Sequence, residues 1–318
     1  MSSALISSAF TPFFDVASSS TMYQSMIRFA AVLAFVAVGE LVAERAGTLN
    51  ISAEAMMVGG AFTGAVISDR TGHIAYGLLA GMIGGLAVAL AQANLSHRLT
   101  IDQFVVGLTL NLFVLGLALF LDTRFKPQTN VATEWRVPGL ANIPIFGQAV
   151  FGQPWPMYLI VPVAGLSWWL LFRTRWGLDI RAVGENPQSA DVSGIHVNRR
   201  RRQAICFAGL TSGLGGAVLV LAQIPINGFE EGHVGLKGII AIAAVIFGGW
   251  TLRGTIFGCL IFGYFFALQQ ALPSIGYTIN SQLSAALPYI VALAVTSVFA
   301  SRTRQPRALA QTFIRGLT

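Results

Sequence analysis

Charge is what this 318-residue chain has least of: charged residues make up 10% of it, against about a quarter in an ordinary soluble domain. Lysine is nearly missing, with Lys126 and Lys237 the only two among 20 basic residues. Lys126 is followed by Pro127 and Lys237 by Gly238, so neither fits the G-x-x-x-x-G-K-[ST] loop that cradles nucleotide phosphates. The two cysteines, Cys206 and Cys259, lie in separate apolar stretches, so their spacing implies neither a disulfide framework nor a zinc site and they read as small buried hydrophobes. His73, His97, His196 and His233 are scattered and form no H-E-x-x-H, while Gly209-Leu-Thr-Ser-Gly213 is one residue too long for the G-x-S-G of an intramembrane protease. No catalytic residue, metal ligand or cofactor of the chain's own is therefore assigned. Residues 1–25 hold no Lys or Arg, so the positive start of a cleavable signal peptide is missing, and Phe10, Phe13 and Phe14 place the first 20 residues at a membrane interface.

Apolar sequence is present in excess: 54% of residues are hydrophobic and the mean hydropathy is +0.68. A bilayer core of roughly 30 Å needs about 20 apolar residues per helix. Nine stretches qualify, at 26–42, 51–68, 74–94, 104–121, 157–172, 204–224, 238–250, 255–272 and 285–300, the seventh being short for a full crossing. The expected fold is all-α, a polytopic bundle of about nine transmembrane spans forming one domain over 1–318. Glycines at 77, 81 and 85, and at 209, 213 and 216, recur at spacings that let helix backbones approach closely in lipid.

The basic residues cluster. Seven of the 20 fall between Arg173 and Arg202: Arg173, Arg175, Arg181, Arg199, Arg200, Arg201 and Arg202. Because they flank apolar runs, the net charge of +7 reads as the positive-inside pattern and not as a nucleic-acid surface. Placing the island at 173–203 in the cytoplasm puts 14 basic residues inside and five outside, with Arg28 at the outer end of the first span. The N-terminal segment 1–25 is then external, the long loop 122–156 faces outward, and 301–318 is a basic cytoplasmic tail.

Within the island, Asn186 stands where a helix N-cap belongs, Pro187 at the first helical position and Gly194 just past the end, which spells a two-turn helix. So short a helix is marginal in water and needs a surface. Two supports are open on physical grounds: a partner protein, or lipid headgroups beside Arg199, Arg200, Arg201 and Arg202.

Gly184-x-Asn186-Pro187, then Ala190 and Gly194-Ile195, a basic stretch and a Gly-rich span together resemble the cytoplasmic coupling segment of ABC importer permeases. The group concerned carries branched-chain amino acids, monosaccharides and nucleosides. A second segment, from Gly39 through Glu44-Arg45, Asn50-Ile51, Glu54 and Met56-Met57 to Ala61, is most similar to the nucleoside and simple-sugar permeases. Their pattern runs Glu-Arg-x-Gly and then Asn-Ile-Gly-x-Glu-Gly-Met, and here Ser52 and Ala55 replace two of the glycines. A third match covers Gly228 to Gly263, so the resemblance spans most of the chain.

The resemblance implies a bacterial plasma-membrane permease subunit of an ABC importer. Its partners would be an ABC ATPase that holds ATP and Mg, a second permease making a heterodimer, and an extracytoplasmic substrate-binding protein. It carries over ATPase coupling to Gly184, Asn186, Pro187, Ala190 and Gly194, while the positive-inside pattern gives orientation to Arg199, Arg200, Arg201 and Arg202. Membrane lipid and a small polar solute, a nucleoside ahead of a monosaccharide or branched-chain amino acid, complete the set. An ionisable group in an apolar span usually faces a cavity or a partner, which marks Asn50, Glu54 and Asn111 as candidates for the translocation pathway. Capping by Asn50 and an interhelical bond from Asn111 are the structural alternatives. Glu40, Glu44 and Arg45 read as a packing network at the end of the first span. The rival class is an ion-coupled secondary transporter, with Glu40 or Glu54 binding the coupling ion in a broken helix.

Overall fold

The computed structural model describes residues 20–129, 131–135, 146–223, 229, 232, 234–271, 281–299 and 305–316. The expected interfacial segment before residue 20, part of the 122–156 loop, Gly228, and residues 301–304, 317 and 318 lie outside the described residues. Among the described residues, twelve α-helices follow in chain order. They are α1 (Ser20–Arg45), α2 (Ala53–Thr71), α3 (Ile74–His97), α4 (Gln103–Phe125), α5 (Phe146–Phe151), α6 (Ile160–Arg173), α7 (Arg175–Glu185), α8 (Pro187–Val192), α9 (Val197–Val218), α10 (Lys237–Phe247), α11 (Leu252–Ala271) and α12 (Ser281–Phe299). A tight 3-10 turn, Trp155–Leu159, leads into α6, and a π turn, Leu219–Gln223, ends α9. The described residues form no sheet, only an isolated bridge between Glu134 and Pro154.

The all-helical expectation holds, but the count of about nine spans is not reproduced. Six helices among the described residues are long and apolar enough to cross a membrane. Two of the differences have a physical cause. Helix α2 carries Glu54, Asp69 and Arg70 within its 19 residues. Helix α10, with 11 residues, rises about 16 Å, half of a bilayer core. Part of helix α12, with Ala300, lies outside the described side chains, so that helix is not weighed among the six.

Helices α1 and α9 form the centre. Helix α1 and, beyond its arginine-bearing first turns, α9 are largely apolar and buried along most of their length, as a central hydrophobic helix must be. Helices α2 and α3 pack closely on α9 and on each other, and α11 packs along α1. Helices α4 and α6 lie at the periphery and present large apolar side chains outward, among them Leu108, Leu112, Phe120, Val161 and Trp169.

The glycine spacings do the packing expected of them. A side chain at Gly60 or Gly81 would run into the Gly213 carbonyl, and one at Gly85 into the Gly209 carbonyl, so α2, α3 and α9 meet backbone to backbone.

The arginine island is not the loop expected at 173–203. Helix α7 occupies its first half, opened by Thr174, whose Oγ1 accepts from Gly177 N at 3.1 Å. Helix α9 starts at Val197, so Arg199, Arg200, Arg201 and Arg202 stand on its first two turns. The two-turn helix is present as α8: Asn186 Oδ1 accepts from Ser189 N at 2.9 Å, Pro187 is the first helical residue, and Gly194 turns the chain at φ +85°.

Replacing Gly213 by leucine is expected to cost at least about 1–3 kcal/mol through overpacking, read as a lower Tm of the purified chain in detergent. Gly165→Leu, on α6 with nothing within 4 Å of an added Cβ, is expected to leave Tm unchanged.

Candidate functional site

Between α1 and α2 the backbone leaves the helix while staying buried. Leu49 N donates to Gln103 Oε1 at 2.8 Å, at the start of α4. Eight residues further along α4, about 12 Å up its axis, Asn111 holds the other end of the break: Nδ2 donates to Ile51 O at 3.0 Å and Oδ1 accepts from Ala55 N at 2.9 Å. The segment therefore climbs alongside α4 before α2 begins. Apolar surroundings supply no water for its amides and carbonyls, so side chains must satisfy them. Asn50 does not cap α2. Its Nδ2 donates to Glu40 Oε1, and its Oδ1 accepts from Ser52 Oγ at 2.8 Å.

Glu54, in the first turn of α2, faces the first turn of α10. Its Oε1 accepts from Leu236 N at 2.9 Å and its Oε2 from Gly238 N at 2.7 Å. One carboxylate thus lies between the N-termini of two helices and answers the orphan amides and positive dipole end of each. Gly238 is required there, because a Cβ would come within 2.6 Å of Glu54 N. Leu236 adopts φ +58°, a strained region for a branched side chain that the Glu54 bond helps to hold. Lys237 Nζ donates to Val234 O at 2.8 Å and lies 5.5 Å from the centre of the Phe266 ring. Tyr289 Oη donates to Gly235 O at 2.7 Å and ties α12 to the same junction.

All three pathway candidates are therefore present at the broken-helix junction, with their polar atoms engaged by the backbone or by Glu40 and Ser52. Of the network expected of Glu40, Glu44 and Arg45, Glu44 and Arg45 both meet Trp250, with Glu44 Oε2 accepting from its Nε1 and the Arg45 guanidinium donating to its carbonyl, while Glu40 accepts from Asn50 instead.

At the arginine-rich end, α8 is fastened on one side only. Ala190 is buried with Val183, Val197 and Phe313, and Ile195 packs against them. Pro187 is buried as well, whereas Asn186, Gln188, Ser189 and Gly194 are exposed and Val192 is 90% exposed. Gly184 sits below, too close to Arg45 O for any side chain, and its own carbonyl accepts from Ala308 N at 2.9 Å. The four arginines differ. Arg200 pairs with Asp179 at 2.7 Å. Arg201 is fully buried and donates to Ala46 O at 3.1 Å, Gln311 O at 2.6 Å and Ala308 O at 3.4 Å.

The sequence did not mark Tyr289 or Phe313, and it set Arg201 only among the orienting arginines. Only Arg201 carried a signal: it stands four residues from Val197 and Ile205, on the buried face of α9.

Glu54→Ala is expected to speed hydrogen exchange of the Leu236 and Gly238 amides and to cost about 3 kcal/mol or more, for two charge-assisted bonds. Glu54→Gln, which keeps one acceptor, should lie between. Asn111→Ala should expose the Ala55 amide and spare α10.

Comparison with known proteins agrees with this architecture. The family profile described as branched-chain amino acid transport system, permease component, matches residues 22–297. The nucleoside ABC transporter permease protein NupC of Lactococcus lactis is 34% identical over 310 residues, covering 92% of this chain and 96% of its own. The guanosine ABC transporter permease protein NupQ of Bacillus subtilis is 33% identical, covering 91% and 94%. Among solved structures, a metal-chelate-type ABC transporter in an inward-facing conformation shares the fold with a TM-score of 0.50 at 13% identity, over 87% of this chain and 85% of that one. With its buried helices α1 and α9, its broken α1–α2 connection and a family match over most of its length, the chain belongs to the permease components of the branched-chain amino acid transport system family, the membrane-spanning subunits of ABC transporters.

Proposed function

We propose that the chain is the permease of an ABC importer for a nucleoside, and that α8 is its contact with an ATPase subunit. The observation that carries the coupling reading is the two-sidedness of α8, which is clamped to its own bundle through Ala190 and bare at Gln188 and Val192. A helix so held transmits a push instead of yielding to it. ATP and Mg belong to the ATPase, since this chain has no lysine in a phosphate-binding loop. In this reading Gly184, Asn186, Pro187, Ala190 and Gly194 shape and seat the lever, and the exposed residues between them touch the partner.

The solute assignment rests on the two relatives named for nucleoside and guanosine transport, each aligned over more than nine-tenths of both chains. The pathway follows the broken-helix junction, where Asn50, Glu54 and Asn111 hold the backbone beside the outward face of α4. That apolar face is the place for a second permease, a related chain forming a heterodimer, with an extracytoplasmic binding protein delivering solute. The arginine-rich end and the 301–318 tail are cytoplasmic, as the distribution of basic residues requires in a bacterial plasma membrane. Helices α2, α10 and α12 complete the nine crossings as shorter or charge-bearing segments inside the bundle.

In the reconstituted complex, Val192→Asp is expected to fold and keep its place in the membrane while nucleoside-stimulated ATP hydrolysis falls about tenfold or more, equal to about 1.4 kcal/mol of lost contact. Unchanged stimulation would remove α8 as the contact. The chain alone in liposomes is expected to take up no nucleoside down an ion gradient. Gradient-driven uptake would favour the secondary-transporter class.

A further inference from the structure

A groove of about 610 Å³ lies at the arginine-rich end between α3, α6, α7 and α9. It is apart from both the broken-helix junction and the exposed face of α8. Its walls are apolar and come from membrane-spanning helices: Leu90 of α3, Leu170 of α6, and Phe207 and Leu210 of α9. Its mouth carries Arg199 and Arg202, one turn apart on α9, and no acidic side chain lines it.

The four adjacent arginines divide cleanly. Arg200 is spent on Asp179, and Arg201 on three carbonyls. Arg199 and Arg202 make no hydrogen bond or ion pair with the described residues, and both border the groove. The interior of the groove is built and held: Gln203 Oε1 accepts from Trp176 Nε1 at 3.0 Å and from Arg200 Nη1 at 3.0 Å, which fixes the indole beside the two free guanidinium groups. An indole with one polar edge suits the level of lipid headgroups.

We infer that this groove is a binding site for one anionic phospholipid, with its phosphate on Arg199 and Arg202 and an acyl chain along Leu90, Phe207 and Leu210. The two parts of the groove demand an occupant that is anionic at one end and apolar along its length. A soluble anion would leave the walls bare, and a protein loop would have to enter between membrane spans. Two guanidinium groups supply two positive charges and up to four hydrogen bonds to phosphate oxygens, in the manner of basic pockets between transmembrane helices that hold lipid headgroups. The site rests on α3, α6 and α9 being membrane spans and is independent of the solute and of the ATPase.

The test is native mass spectrometry of the full chain in neutral detergent, titrated separately with phosphatidylglycerol and phosphatidylcholine. The wild-type chain is expected to retain one phosphatidylglycerol in preference to phosphatidylcholine. R199Q/R202Q should weaken phosphatidylglycerol binding ~30-fold, which corresponds to about 1 kcal/mol for each arginine near an anionic headgroup, with phosphatidylcholine unaffected. R199K/R202K should keep most of the affinity. L210W, which fills the groove and keeps both charges, should also lose the lipid, whereas diffuse surface attraction would survive it. R307Q removes an exposed tail charge outside the groove and should change nothing.

Equal phosphatidylglycerol binding by the wild type and R199Q/R202Q, or by the wild type and L210W, would overturn the site. Displacement of the lipid by inorganic phosphate at equal concentration would make it an anion site and overturn the lipid assignment. An R199Q/R202Q chain that keeps phosphatidylglycerol but fails to co-purify with an ATPase subunit would make the mouth a protein contact. That outcome also contradicts the proposal, and leaves the importer reading intact.

Discussion

One buried guanidinium holds the arginine-rich end of this protein together. Arg201 is the largest fully buried side chain of the described residues, and carbonyls, not a carboxylate, surround it. Ala46 O lies just past the C-terminal end of α1, where the helix dipole is negative and carbonyls lack intrahelical partners. Ala308 O and Gln311 O come from the C-terminal tail, and Ala308 N reaches back to Gly184 O. The end of α1, the end of α7, the start of α9 and the tail are therefore fixed by one side chain. Removing it would leave several buried acceptors unpaired, at about 1–3 kcal/mol each.

The same economy governs the interior. Where α1 gives way to α2, and where α10 begins, backbone groups are buried without a helix to satisfy them. Asn111, Gln103 and Glu54 take that task. Polar side chains that a hydropathy profile marks as candidates for solute contact are thus the reason a break in the helices can exist in this setting. Glu54 does most, since its two oxygens serve α10 while its backbone opens α2. A change there alters the shape of the junction as well as its charge.

Local features were the legible ones. The cap, proline and glycine of α8 are read within nine residues, because capping is decided by neighbours in sequence. The glycine seam was legible because small residues four apart share one helix face. Arg201 was not, since Arg199, Arg200, Arg201 and Arg202 are one letter repeated and only the rotation of α9 separates them. Its partners lie more than 100 residues away in sequence, as Glu54's lie 182 and 184 away. The count of about nine spans is not reproduced for a related reason. Hydropathy weighs each segment alone, whereas α2 and α10 are covered by neighbours and tolerate charges or short length. Helix α7 was hidden by its own arginines, although Trp176, Ile180 and Val183 mark an apolar face.

These pieces make the proposed lever a mechanical object. Helix α8 is seated on Ala190 against Phe313, the tail bearing Phe313 is held by Arg201, and Arg201 grips the end of central helix α1. Under that proposal a displacement of α8 would reach α1, and through Glu40 and Asn50, which are hydrogen-bonded, the broken-helix junction. The most direct measurement is nucleoside-stimulated ATP hydrolysis by the reconstituted complex carrying Arg201→Gln, compared with wild type at equal recovery of assembled complex. The account predicts basal hydrolysis near the wild-type rate with stimulation lost. Full stimulation by the variant complex would contradict it.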